Sequence, residues 1–164
     1  MTVRGAVSGV ALASLILGGC GFTLDHRVAE GPEATRIWQL RVAKAIGRWP
    51  SFDETVSFED QLDRRVRAYL ESHPAVVGSP RGPNLRFWRR VSVGMTKAEV
   101  LLLLGPPEET TTDHARMEAA ARRFWPEVQK RARELWSYPG GWSLYFDGDE
   151  LAELTVYRRQ FLQE

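Results

Sequence analysis

The chain has 164 residues, 22 Lys and Arg against 21 Asp and Glu, three histidines and one cysteine. A formal net charge of +1 argues against a dedicated nucleic-acid binder. One cysteine cannot form an internal disulfide. His26, His73 and His114 lie in separate segments without His-x-x-x-His or Cys-x-x-Cys neighbours, so no metal site is expected.

Arg4 and the terminal amine precede residues 6–19, which carry no charge. The run falls short of the roughly 20 residues needed to span a bilayer but suits the apolar core of a secretory signal. Gly18 and Gly19 leave little bulk before Cys20. The sequence Ile-Leu-Gly-Gly-Cys resembles the lipobox of bacterial lipoproteins. That resemblance implies cleavage of a signal peptide at residues 1–19, with acyl and diacylglyceryl groups on Cys20. Gly21, in place of an aspartate, implies sorting to the outer membrane, on its periplasmic face. A plain secretory signal leaving a free thiol, a buried helix and a spanning anchor are the alternatives. Residues 20–34 have no clear period and read as a tether.

Residues 35–73 read as a helical region. Ile37, Leu40, Ala43 and Ile46 approach helical spacing, and Trp49-Pro50 ends the first helix. A second helix is expected from Ser57, with Leu62, Val66, Tyr69 and Leu70 as its apolar stripe and His73-Pro74 as its stop. Pro74, Gly78, Pro80, Gly82 and Pro83 mark residues 74–84 as a linker or an ordered irregular loop. Next come Phe87, Trp88 and Arg89, with Arg86 and Arg90. They suit binding to a phosphate, a lipid headgroup or a protein, or a solvated rim of arginine stems over aromatic surface.

In residues 85–164 an α+β domain is expected. Thr96 and Glu99 form a reciprocal capping box, Val100 and Leu104 belong to a short apolar helix, and Gly105, Pro106 and Pro107 stop it. Gly105 is expected to take a left-handed helical dihedral. Residues 135–138, 142–146 and 151–157 read as three alternating strands joined by turns at Pro139-Gly140-Gly141 and Asp147-Gly148-Asp149-Glu150. The fold expected is a three-stranded antiparallel meander covered by helices on one face, with an additional N-terminal helical region. A helical insert at about 113–134 is capped by Asp113. It carries Met117, Ala121, Phe124 and Val128 on one side, and Pro126 either kinks it or starts another helix.

The positions Gly94, Met95, Thr96, Glu99, Val100, Leu104, Gly105, Pro107, Trp136, Tyr138, Phe146 and Asp147 match the pattern of the SmpA/OmlA lipoprotein family. The pattern covers roughly residues 90–158. The resemblance implies an accessory role in outer-membrane protein assembly, with the β-barrel assembly complex as partner and anionic lipid at the same surface. The long N-terminal region and the insert depart from the family.

Chemistry is sparse. Ser137 and Ser143 have no histidine nearby in sequence, and the acids at 147–150 suit a hairpin turn better than a catalytic pair or an EF-hand. Neither an enzyme nor a bound cofactor is expected. The function expected is a lipid-anchored envelope protein that binds envelope or outer-membrane proteins and touches membrane lipid through its anchor. Its binding surface would draw on Phe87, Trp88, Arg89, Arg122 and Trp125, although each aromatic also suits a core. The alternative is a lipoprotein using the same fold as an inhibitor, a cell-wall attachment or a ligand-binding module.

Overall fold

In the computed structural model, residues 23–159 are described. Cys20 and the expected signal peptide lie outside them. The chain forms β1 (Thr23–Val28), β2 (Glu30–Glu33), α1 (Ala34–Ile46), α2 (Phe52–Ser72), α3 (Pro74–Val77) and β3 (Arg90–Ser92). It continues with α4 (Lys97–Leu104), β4 (Glu109–Thr111), α5 (His114–Ala121), α6 (Trp125–Val128), β5 (Glu134–Tyr138), β6 (Trp142–Asp147) and β7 (Glu150–Arg159). A π-turn at Asn84–Trp88 leads into β3, and a 3-10 turn at Arg122–Phe124 joins α5 to α6.

The expected three-stranded meander is not the fold. Among the described residues seven strands form two sheets: one of five in the order β1-β7-β6-β5-β4, and a pair of β2 with β3. Every pairing is antiparallel. The segment expected to be a tether supplies β1, and the threonines before the insert supply β4. This architecture also overturns the resemblance to the SmpA/OmlA family, which implied the smaller meander.

Helices cover both faces rather than one. On the first face, Ile37 of α1, Leu62 and Val66 of α2, and Val100 and Leu103 of α4 join Trp136, Leu144, Phe146, Leu151 and Leu154 of the sheet in one buried core. On the second, Met117, Ala121, Trp125 and Val128 pack against Leu135 and Tyr145. Alternation along β5 and β6 explains the division: Leu135 points one way and Trp136 the other, as do Tyr145 and its neighbours Leu144 and Phe146. A register shift after Tyr145 lets Leu151 and Leu154, three positions apart, reach the same core.

Local chemistry fixes the ends of the elements. Gly47 ends α1 at φ 73° and ψ 9°. Ser51 then caps α2: its hydroxyl accepts from the Glu54 amide, while the Glu54 carboxylate accepts from the Ser51 amide at 2.7 Å. The helix therefore starts six residues earlier than Ser57 suggested. Thr96 and Glu99 make the expected box at α4. Gly105 stops that helix at φ 69° and ψ −169°, not in the left-handed helical basin but in a region open essentially to glycine. The proline- and glycine-rich residues 74–84 hold α3, whose Val76 enters the first core.

Candidate docking surface

Phe87 and Trp88 are 66% and 64% exposed, on a turn whose neighbour Leu85 is completely buried. The π-turn thus rests on one side chain and holds out two. Arg89 fixes it. This residue adopts φ 48° and ψ 37°, uncommon for a side chain with a Cβ, and its amide donates to the Asn84 carbonyl. Its guanidinium donates to Leu85 O at 2.6 Å, to the Arg86 carbonyl, and to Asp63 Oδ1 on α2 through Nε at 2.9 Å and Nη2 at 2.6 Å. Its carbonyl accepts from the Ala34 amide at the start of α1. Arg89 therefore positions the aromatic pair between α1 and α2, its charge matched by Asp63.

These elements enclose an open groove of about 350 Å³ lined by Glu33, Thr35, Glu59, Leu62, Asp63 and the Phe87–Arg89 turn. Glu33 is paired with Arg90 at 2.6 Å. Glu59 accepts from the Thr35 hydroxyl at 3.2 Å, and no cation is paired with it among the described residues. Above the turn, the Arg86 guanidinium lies 5.0 Å from the Phe87 ring centre. The surface combines two uncovered aromatic rings with a rim that carries one unmatched carboxylate. Such a surface can bury apolar side chains of a partner and accept hydrogen bonds from a cation on it.

The structure divides the five residues expected to bind partners. Phe87, Trp88 and Arg89 stand together. Trp125 is buried in the second core, its ring edge-on to His114 at 4.7 Å. Arg122 sits over Tyr157 on that same face, its guanidinium carbon 3.4 Å from the ring centre, and 3.8 Å from Asp25.

The motif positions serve the fold. Glu99 is fully buried and receives the Thr96 amide, Arg81 Nε at 3.0 Å and the Tyr69 hydroxyl at 3.5 Å. Met95, Val100, Leu104 and Phe146 are core. Gly94 turns the chain at φ 89°, and Pro107 is half-buried beyond the end of α4. Tyr138 donates its hydroxyl to Gly105 O at 2.8 Å, and burial pushes its pKa upward. Trp136 donates to Glu134 at 2.6 Å, and Asp147 lies 3.8 Å from Arg131 at the end of β6.

Two contributors escaped sequence reading. Asp63 and Glu59 look like ordinary solvated acids of an amphipathic helix. Ile46, Trp49 and Phe52, all exposed, form a second apolar surface at the α1–α2 turn. The signal for it was available: Ser51-Phe52-Asp53-Glu54 is a capping box, which places Phe52 at the first helical position. Among the described residues no group of three or more His, Cys, Asp or Glu side chains is arranged to hold a metal ion. No family model, curated protein or solved structure matches the chain.

Proposed function

We propose that this chain is a lipid-tethered envelope protein that captures a protein partner in the groove beneath Phe87 and Trp88. The supporting observation is that pair of exposed rings, held outward by a buried Leu85 and an Arg89–Asp63 brace. A core residue misplaced to the surface would not be braced on two helices. The partner is defined by chemistry: one or two apolar side chains for the rings and a lysine or arginine facing Glu59. The tether rests on the lipobox ending at Cys20, and acylation there would raise the effective concentration of the groove near envelope partners.

Two measurements test the reading. A photo-crosslinking amino acid at position 88 of the full chain in its native cell should give one discrete protein adduct. The same probe at exposed Gln129, on the other face of the sheet, should give none. Adding Glu59→Arg should remove most of the adduct; its persistence, or equal adducts from both positions, would refute the groove. Cys20→Ala should abolish membrane retention and acylation of the N-terminal peptide. Retention unchanged by that substitution would refute the tether.

A further inference from the structure

Among the described residues the exposed aromatics fall into two groups, one beside the start of α1 and one in the chain that follows its end. Phe87 and Trp88 stand beside its first residue. Past its last residue, Ile46 is 54% exposed, Trp49 52% and Phe52 81%. At 13 residues α1 spans about 20 Å from the Phe87–Trp88 turn to Ile46, and from that far end the Trp49 ring folds back along the helix to meet Arg36. The second group is built as firmly as the first. Gly47 stops α1, Arg48 is clamped to Glu54 by two hydrogen bonds of 2.8 and 2.9 Å, and Arg36 lies 4.9 Å over the Trp49 ring.

Topology brings this loop and the start of the chain to the same end of the five-stranded sheet. Descending α1, Leu40 meets Gly140, Arg41 donates to the carbonyls of Leu104 and Pro106, and Lys44 pairs with Glu108. Those partners border the start of β4 and the β5–β6 turn. Gly141 of that turn accepts from the Tyr157 amide. Beyond Tyr157 only Arg158 and Arg159 of β7 remain, in register with Leu24 and Thr23 of β1. The aromatic loop thus lies by the β4 edge and the chain start at the β1 edge. Four strand spacings, about 19 Å, separate the two edges. Cys20 is three residues before Thr23, so its thiol has a chain reach of only about 11 Å from that end.

The two apolar groups differ in how the charges beside them are partnered. Next to Phe87 and Trp88, Glu33 and Asp63 are paired with Arg90 and Arg89, and Glu59 is the carboxylate left without a cation among the described residues. At the loop, Lys44 and Arg48 are paired with Glu108 and Glu54, whereas Arg36 and Arg41 direct their guanidinium groups at the Trp49 ring and at carbonyl oxygens rather than at carboxylates; by the β1 edge Arg123 likewise donates to the Asp25 carbonyl. The charge of Arg36, Arg41 and Arg123 is therefore not cancelled by a carboxylate.

We infer that this end of the molecule is a membrane-contacting face. Ile46, Trp49 and Phe52 enter the headgroup–acyl boundary of an anionic bilayer, and the surrounding arginines meet lipid phosphates. Tryptophan and phenylalanine beside cations suit that boundary, where the rings leave water and the guanidinium groups keep a polar partner. The inference rests on the Cys20 tether proposed above. A single point of attachment leaves a domain free to swivel, whereas a second contact about 19 Å away fixes its orientation. The Phe87–Trp88 groove then faces away from the bilayer.

The test uses the full, acylated chain carrying Phe52→Cys, labelled at position 52 with an environment-sensitive fluorophore. The protein is reconstituted in vesicles of phosphatidylglycerol and phosphatidylethanolamine doped with a lipid bearing a shallow nitroxide quencher. The label should lose most of its fluorescence, and the same label in Trp88→Cys protein should keep it. Both side chains are exposed, so neither substitution removes core packing. Equal quenching at the two positions, or none at 52, would overturn the inference. A thiol titration separates the two ideas. One reactive thiol before labelling means Cys20 is modified, and an unquenched label then defeats the face alone. Two reactive thiols defeat the tether, and the face then stands only if anionic vesicles still quench the label at 52.

Discussion

Gly105 and Glu54 show how much depends on single positions whose neighbours are distant or inconspicuous. At Gly105 an added Cβ would lie 3.1 Å from Arg41 Nη1, and the positive φ is paired with an extended ψ. Gly105→Val should therefore cost about 1–3 kcal/mol, read as a lower midpoint in urea unfolding with an unchanged slope. That a glycine stops α4 was legible from the prolines that follow. Which glycine-only basin it takes was not, because the Tyr138 and Arg41 contacts come from remote segments. Glu54 accepts hydrogen bonds first from Arg48 and then from the Ser51 amide, which lowers its pKa from 4.5 to about 2. With the folded value depressed, its stabilising effect is complete above about pH 4.5 and is lost as pH falls toward 2. Carboxyl-carbon NMR titration should show that low midpoint, and Arg48→Ala should move it back toward 4.5. The brace between Arg89 and Asp63, 26 positions apart, left no mark in the sequence.

Among the elements, those with an amphipathic rhythm were readable and the edge strands were not. β5 and β6 were readable as strands from their aromatic and apolar runs bounded by turn residues, and because each face meets a different core their burial is nearly continuous rather than strictly alternating. β4, with sequence Glu-Thr-Thr, has no buried residue, and an edge strand that stays polar resists unwanted pairing at the cost of any period. The helical insert carried its apolar stripe openly, yet the face it covers became apparent only from where Leu135 and Tyr145 point. α2 was readable in its middle but misplaced at its start, because Trp49-Pro50 reads as an ending and masks the cap immediately after it. Ser51→Ala should destabilise the protein by about 1 kcal/mol. Hydrogen exchange should show the loss concentrated in the first turn of α2, with α4 unaffected. Destabilisation confined to α4 would contradict that assignment.

At the scale of the whole molecule, the long contacts tie the beginning of the described chain to its end. Thr23 is in register with Arg159, and Arg27 is bound to Glu153, 126 positions later, by two hydrogen bonds of 2.7 Å. Among the described residues β1 is an edge strand whose one partner is β7. A chain emerging N-terminus first, from a ribosome or through a narrow pore, must therefore carry its opening strand unpaired until nearly all the rest has appeared. Sheet closure is then a late event, governed by when the last strand arrives rather than by how fast the helices form. Until β7 is available the β1 position in the sheet stays empty, so the described domain is completed only when its first and last strands meet.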